Sequence, residues 1–420
     1  MTLAIYGIEA PEGGVFFHDH SIALMKEGKV VALIELERIT RNKQEANMSC
    51  VLGQVLVQLQ QQHGIAPDNV DIVMVNSMQH HHVASNDGTF TISSSRPQPA
   101  AEIRENRLLN VATLQQAKCT WNGCDVPAVV ISHELAHVFS CFPFLGSQPV
   151  TVGPGNTLLV HFDGAASEGN FSAWSYDPKS AGDKLHLLEC HWKLARLSKY
   201  FNENGLAFAI VGASKDQHLS VPGKLMGLQA FGTLRPELKR WMAKHEYFLD
   251  CWSDAARKNF VLEACQRFGW TPLNPENPFD PKDTFLQDIA KTFQWDFTDT
   301  FVEAMAALQK QTGAKQLLLA GGCALSICTV SRLEESGLFD MVFVPPCCSD
   351  TVTKHILKQI TSPCTRGTHT HFSEFKINPT LPCTPFHKGF GCGRCRICGS
   401  LEGEEDPSYT RSVRALTVPQ

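Results

Sequence analysis

The order of apolar runs constrains this chain more than any single residue does. LAIYGI is a short strand. VFFHDHSIALM and VVALIELER flank the turn KEGK as a hairpin. VLGQVLVQLQQQHG (51–64) carries apolar residues at helical spacing and stops at Gly64, and VDIVMVNS is a buried strand. PAVVIS predicts one more strand, with HELAHVFSCF starting a helix directly after it. The pattern then restarts. TLLVHFDGAASEG is a strand ending in a polar turn, NFSAWSYD is its antiparallel partner, and helices fill much of 190–310. LLLAGGCALSICTVSRLEESG is strand, glycine turn and helix, and MVFVPPCCSD is a further strand with a polar end.

The opening β-β-β-α-β order is that of a ribonuclease-H-like half-domain. Two successive halves predict a two-lobed α/β fold with a cleft between a lobe at 1–150 and a lobe at 151–352. Residues 80–110, which include His80, His81 and His82, are polar and aperiodic and read as an exposed inserted loop. From 353 to 420 the chain is rich in Pro, Gly, Thr and Cys, an irregular tail. Within it Cys392, Cys395 and Cys398, with Cys383 and His387 upstream, have zinc-like CxxC spacing, but no second pair stands at zinc-ribbon spacing.

The 420 residues suit two or three domains. A net charge of −5 gives no general attraction to nucleic acid. No apolar run approaches the roughly 18 residues of a membrane helix, and no basic segment followed by an apolar one opens the chain. Neither nucleic acid nor membrane is therefore an expected partner. A cytoplasmic location is expected, with the 16 cysteines as reduced thiols.

Four local patterns can carry chemistry. His133 and His137 lie four apart, so on a helix both imidazoles reach one ion. The spacing also fits unrelated surface histidines, or a zinc protease with Glu134 as general base. A helix opening straight after a buried strand, with glycine turns to follow, suits a nucleotide-cleft enzyme better than a protease. Gly321 and Gly322 join a strand to a helix, where backbone N–H groups approach a phosphate or simply make a tight turn. Asp163 and Asp350 end strands at the crevice edge, where each serves equally as a helix cap. Lys224, between Gly223 and Gly227, reads as a phosphate partner or a solvated turn lysine.

Taken in order, these segments resemble the O-carbamoyltransferases of nodulation-factor and antibiotic biosynthesis. HDHSIA (from His18) is similar to that family's HDSSAA, ELERITRNK (Glu35 to Lys43) to EEERFTRIK, HELAH to HHLAH, GKLMGL to GKVMGL, AGGCALS to AGGVALN and VFVPPCCSD to VFVQPAAGD. The resemblance runs from about residue 3 to 351.

It implies an actin-like ATPase fold whose cleft holds a divalent metal and carbamoyl adenylate made from ATP and carbamoyl phosphate. The implied ligands are His133, His137, Asp163 and Asp350, a set suited to Fe(II), Mn(II) or Zn(II). Fe(II) is the ion of at least some members. His18 and Lys43 fall near the reacting carbamoyl group or the small-molecule hydroxyl acceptor. His18 is the candidate to take the acceptor's proton, with Asp19 and His20 as neighbouring alternatives. Gly321, Gly322 and Lys224 fall at the adenylate. Glu134 is implied to be dispensable, because the related motif often has His there.

The chain departs from the family at Ser326, where Asn is usual, and at His20, where Ser is usual. TVTKHILKQI replaces a glycine- and alanine-rich helix. Only about 70 residues follow Asp350, and they do not resemble the family's YrdC-like adenylating domain. A separate adenylating protein is therefore an expected partner. The rival readings are a tRNA threonylcarbamoyl transferase relative and a non-catalytic nucleotide-binding relative.

Overall fold

The computed structural model describes residues 1–7, 18–46, 48–75, 82–94, 115–145, 157–164, 166, 169–177, 185–192, 194, 197, 204–249, 251–346 and 348. His80, His81, Asp350 and the whole segment 353–420, with its cysteines, lie outside these residues.

The first sheet is built from β1 (Thr2–Tyr6), β2 (Ser21–Lys26), β3 (Lys29–Glu35), β4 (Asp71–Val75), β5 (His82–Ala84), β6 (Phe90–Ser94), β7 (Gln115–Trp121) and β8 (Cys124–Ile131). Its order is β3-β2-β1-β4-β8-β7-β6-β5. β2 is antiparallel to both β1 and β3, whereas β4 and β8 run parallel to β1. The second sheet comprises β9 (Thr157–Phe162), β10 (Phe171–Tyr176), β11 (Leu185–His191), β12 (Gln316–Ala320) and β13 (Met341–Phe343), in the order β11-β10-β9-β12-β13. It again has three antiparallel strands followed by two parallel ones. The same five-strand topology therefore occurs twice. This is the duplicated ribonuclease-H-like, actin-like architecture.

Helices fill the layers around the sheets. Two of them, α1 (Leu36–Thr40) and α2 (Ser49–His63), follow β3. Leu52, Val55, Leu56 and Leu59 of α2 cover the outer face of the first sheet against Leu3, Ile5, Ile72 and Met74. The helix stops where Gly64, at φ 69°, returns its N–H to the Gln60 carbonyl.

Helix α3 (His133–Leu145) follows β8 and lies between the sheets. Its Leu135, Val138 and Phe139 share one apolar cluster with Val75 and Ile131 of the first sheet and Leu159 and Leu318 of the second. Residues 133–142 are all buried, which explains why HELAHVFSCF has apolar residues on every side and no solvated polar face.

The far face of the second sheet is covered by α4 (Gly205–Ile210), α5 (Val221–Leu228), α6 (Pro236–Lys244), α7 (Asp254–Phe268), α8 (Thr284–Thr312) and α9 (Ile327–Glu335). Asp283 caps α8 by accepting from the Phe285 N–H. Phe162 of β9 stacks on Phe301 and Phe297 of α8 at 4.9 and 5.8 Å. Burying such a ring contributes about 2–3 kcal/mol. Because side chains alternate along a strand, this packing turns residues 161 and 163 to the opposite face, toward α3.

Several expectations need correction. The loop expected at 80–110 contains the β5–β6 hairpin, because Val83, Phe90 and Ile92 are fully buried and extend the first sheet. Strand β2 starts at Ser21, and residues 18–20 precede it. The end of ELER belongs to α1. β11 was not expected. A 3₁₀ turn (Gly322–Leu325) separates the Gly-Gly pair from α9. Gly223, Lys224 and Gly227 lie within α5, held helical by the buried Val221 and Leu225 four residues apart, with Pro222 in the first turn. Among the described residues no helix is long and apolar enough to cross a membrane.

Candidate metal centre

Strand β8 feeds α3 through Ser132, whose hydroxyl accepts from the Leu135 N–H at 3.2 Å and whose carbonyl accepts from the Ala136 N–H. This N-cap fixes the first turn, which places His133 and His137 one above the other. Their Nε2 atoms are 3.0 Å apart. Asp163, just beyond β9, brings Oδ2 to 3.6 Å from His133 Nε2 and 3.2 Å from His137 Nε2. His161 joins them from the same face of β9, with its ring stacked on His137 at 5.1 Å. One donor atom from each of His133, His137, His161 and Asp163 lies within 4.8 Å of the others. The three histidines are buried.

These separations test whether an ion fits. Ligand bonds of about 2.0–2.1 Å give neighbouring donors about 3.0–3.4 Å apart in tetrahedral or octahedral shells. The 3.0 and 3.2 Å spacings match such edges, and the 3.6 Å spacing is a few tenths of an ångström longer. Imidazole nitrogens and a carboxylate form a donor set for Zn(II), Fe(II) or Mn(II). The residues present therefore fit a divalent cation.

The surrounding structure holds the donors in place. Asp163 Oδ1 accepts from the Gly164 N–H at 2.6 Å, which turns Oδ2 toward the histidines. Glu134 is fully buried and accepts from the Gly169 N–H at 3.0 Å, tying α3 to the residues just before β10. That bond gives Glu134 a structural role. A Cβ on Gly169 would come within 2.7 Å of the His191 carbonyl, so Gly169 is packed closely against β11 on its other side.

Opposite Asp163 across the β9–β10 pair stands Asn170, whose carbonyl accepts from the Asp163 N–H at 2.9 Å. Cross-strand partners share a face, so the Asn170 carboxamide lies on the α3 side. It is fully buried, and neither Oδ1 nor Nδ2 has a hydrogen-bond partner among the described residues. Two thiols complete the surroundings. Desolvation and then the Asp163 charge push Cys323 well above the ordinary thiol range, and the same two effects carry Cys348 to about 11. Both thiols are protonated at neutral pH when no cation is bound.

The glycine turn meets the centre from β12. Gly321 has φ 96°, and a Cβ there would lie 2.3 Å from the Phe162 carbonyl. Its N–H donates to the Cys348 carbonyl at 3.0 Å. A Cβ on Gly322 would meet Asp163 Oδ1 at 2.8 Å. Close packing against β9 thus accounts for both glycines. Lys224 lies on the exposed face of α5, beside a shallow groove with Val211, Leu228, Phe231 and Pro281. Lys43 is exposed in the turn after α1. His18 is partly buried, with Nδ1 2.9 Å from Asp19 Oδ2, and Asp19 holds a left-handed φ of 56°. His20 is buried edge-on to Tyr6, which in turn contacts the His133 ring.

The structure thus gathers His133, His137 and Asp163, adds the unforeseen His161 and Asn170, and leaves Asp350 outside the described residues. The signal for His161 was its place two before Asp163 at the end of β9, at same-face spacing.

Comparison with known proteins adds a family. Residues 6–154 and 185–353 match the family described as "Carbamoyltransferase N-terminus". The chain is 25% identical over 374 residues to "Uncharacterized protein sll1178" of Synechocystis sp., covering 82% of this chain and 55% of that protein. It is 23% identical over 380 residues to "Nodulation protein U" of Rhizobium tropici, covering 80% and 57%. It therefore spans a little over half the length of these relatives. Among solved structures, the activator of the 2-hydroxyisocaproyl-CoA dehydratase from Clostridium difficile with bound ADPNP aligns at a TM-score of 0.38 and 11% identity, over 85% of this chain and 93% of that one.

Proposed function

Because the chain belongs to the carbamoyltransferase N-terminus family, we propose that it transfers a carbamoyl group from carbamoyl adenylate to an acceptor hydroxyl, with a divalent metal held by His133, His137 and Asp163. The observation that carries this reading is the convergence of these side chains, two from the helix after the first sheet and one from the end of β9, at the seam between the two halves. Asp350 is assigned as a further ligand by its motif. When bound, the ion supplies Lewis acidity toward a carbonyl oxygen.

The chain's own residues do the rest. Burial of the histidines keeps bulk water from the reacting carbon. The Asn170 carboxamide offers one donor and one acceptor in a plane, matching the H₂N–C=O of a carbamoyl group. Gly322, beside Asp163, is assigned to the adenylate phosphate. Lys224, on its groove, and Lys43 are assigned to the nucleotide and acceptor sides. Asp19 fixes the His18 ring through Nδ1, the arrangement by which a carboxylate orients a proton-accepting imidazole. In the reaction the acceptor oxygen bonds to the carbamoyl carbon, the bond from that carbon to the phosphate oxygen breaks, and AMP leaves with the electron pair. The hydroxyl proton passes to His18.

The test is mass spectrometry of hydroxyl acceptors incubated with the protein, a divalent metal, ATP, carbamoyl phosphate and an adenylating protein. The expected result is a gain of one carbamoyl mass that disappears in His133→Ala and His137→Ala. Persistence of the product in both variants would overturn the assignment.

A further inference from the structure

We propose that His161 is a further protein ligand, which adds a third imidazole to the donors His133, His137 and Asp163. The inference rests on the reading above that the cluster holds a divalent metal, and it names a donor that the HxxxH motif and the strand-end aspartates do not include.

Three observations point the same way. First, β9 alternates. Leu158, Val160 and Phe162 face the large apolar cluster beneath α8, and Leu159 faces α3 as an ordinary packing residue. His161 continues the α3 side, where apolar packing alone would be met by another Leu or Val. Instead its imidazole is fully buried beside two others, 5.1 Å from the His137 ring and 6.0 Å from the His133 ring. Second, its donor belongs to the set of four that lie within 4.8 Å of one another, against about 4.2 Å between opposite ligands at bonds of about 2.1 Å, so small side-chain rotations bring all four onto one ion. Third, the ring is oriented from behind. Nδ1 faces Ser172 Oγ at 3.5 Å, and Ser172 Oγ accepts from Trp174 Nε1–H at 3.0 Å. Ser172 stands directly across from His161 in the β9–β10 register. A ligating histidine characteristically donates its other ring N–H to such an acceptor, which fixes the tautomer and leaves the second nitrogen for the metal.

The consequence is chemical. Three nitrogens and one oxygen favour Zn(II), Co(II) or Fe(II) over Mg(II) or Ca(II), whose shells are built from oxygen. Four protein donors also hold an ion without a nucleotide and without Asp350.

The experiment titrates chelator-treated full-length protein with Co(II), followed by visible absorption, and measures Zn(II) affinity by competition with a chromophoric chelator. The proteins are wild type, His161→Ala, Ser172→Ala and His133→Ala, each checked by circular dichroism. Wild type is expected to take up one ion without nucleotide. His161→Ala should lose at least about 100-fold in Zn(II) affinity and change the cobalt spectrum. Ser172→Ala should lose about 10-fold with the spectral shape kept. Wild-type affinity and spectrum in His161→Ala, alongside loss of binding in His133→Ala, would overturn the inference and leave the metal reading standing. No cobalt uptake by wild type would overturn both. If His161→Ala does not fold, Ser172→Ala decides, and unchanged affinity there overturns the proposal.

Discussion

Glu134 separates two enzymes that share one motif. In a zinc protease the glutamate of HExxH is the general base, and a carboxamide in its place abolishes turnover. Here the side chain is fully buried and its Oε1 accepts from the Gly169 N–H at 3.0 Å. Glu134→Gln keeps an oxygen at that position and the same length of side chain, so only the charge assistance is lost. A charged hydrogen bond contributes about 1.5–3 kcal/mol against about 0.5–1.5 for a neutral one, so the expected cost is about 1 kcal/mol. Glu134→Ala removes the acceptor, strands the Gly169 N–H and opens a gap inside the layer between the sheets. With the bond at about 2 kcal/mol and the lost packing at 1–2 kcal/mol, the expected loss is about 3–4 kcal/mol. Guanidinium unfolding of both variants measures this, and metal content per chain reports the centre. The Gln variant should keep its metal and transfer activity within a few-fold, while the Ala variant loses stability and metal together. A Gln variant that is stable and metal-loaded but slowed by about 10³-fold or more would refute the reasoning and make Glu134 the base.

Asn170→Ala removes a buried amide with no partner among the described residues, so thermal unfolding should shift little, by about 1 kcal/mol in either direction, while carbamoyl transfer falls by 10-fold or more. A large loss of stability would place partners on that amide. Gly321→Ala puts a Cβ 2.3 Å from the Phe162 carbonyl at a φ of 96°, and soluble yield and denaturant midpoint should drop as for a loss of about 3 kcal/mol or more. Burial carries the Cys119 thiol up to about 12, leaving roughly one molecule in ten thousand as thiolate at pH 8. Iodoacetamide mapping of the native protein should therefore label the exposed Cys50 and Cys124 well before Cys119, with Cys119 gaining reactivity as pH rises.

Where apolar residues follow a single period, the elements could be read directly from the sequence. Helix α2 and its Gly64 stop, the parallel strands β4, β8, β9 and β12, and the β9–β10 hairpin all come from patterns that local sequence and burial agree on. The misses have local causes. β11, LHLLECH, mixes two histidines and a glutamate into an outer strand. The β5–β6 hairpin has a few inward residues among polar ones. Around Lys224 two glycines suggested a turn, but burial of Val221 and Leu225 outweighed helix propensity.

The centre was half legible. HxxxH announces itself, and an aspartate ending an apolar strand is a familiar signal. His161 looked like one more strand residue, because its meaning depends on which face of β9 meets α3. Asn170 became visible only once the register across the hairpin was known, and Glu134 only once its partner 35 residues away was in view.

Helix α3 has one further consequence. It is clasped by both sheets, and the ion-holding groups come half from its own first two turns and half from the strand beyond. A cation seated there would act as a rivet through the waist of the molecule. Any hinge that parted the halves by even an ångström would stretch bonds that tolerate only tenths, so grip on the metal and closure of the cleft would rise and fall as a single event.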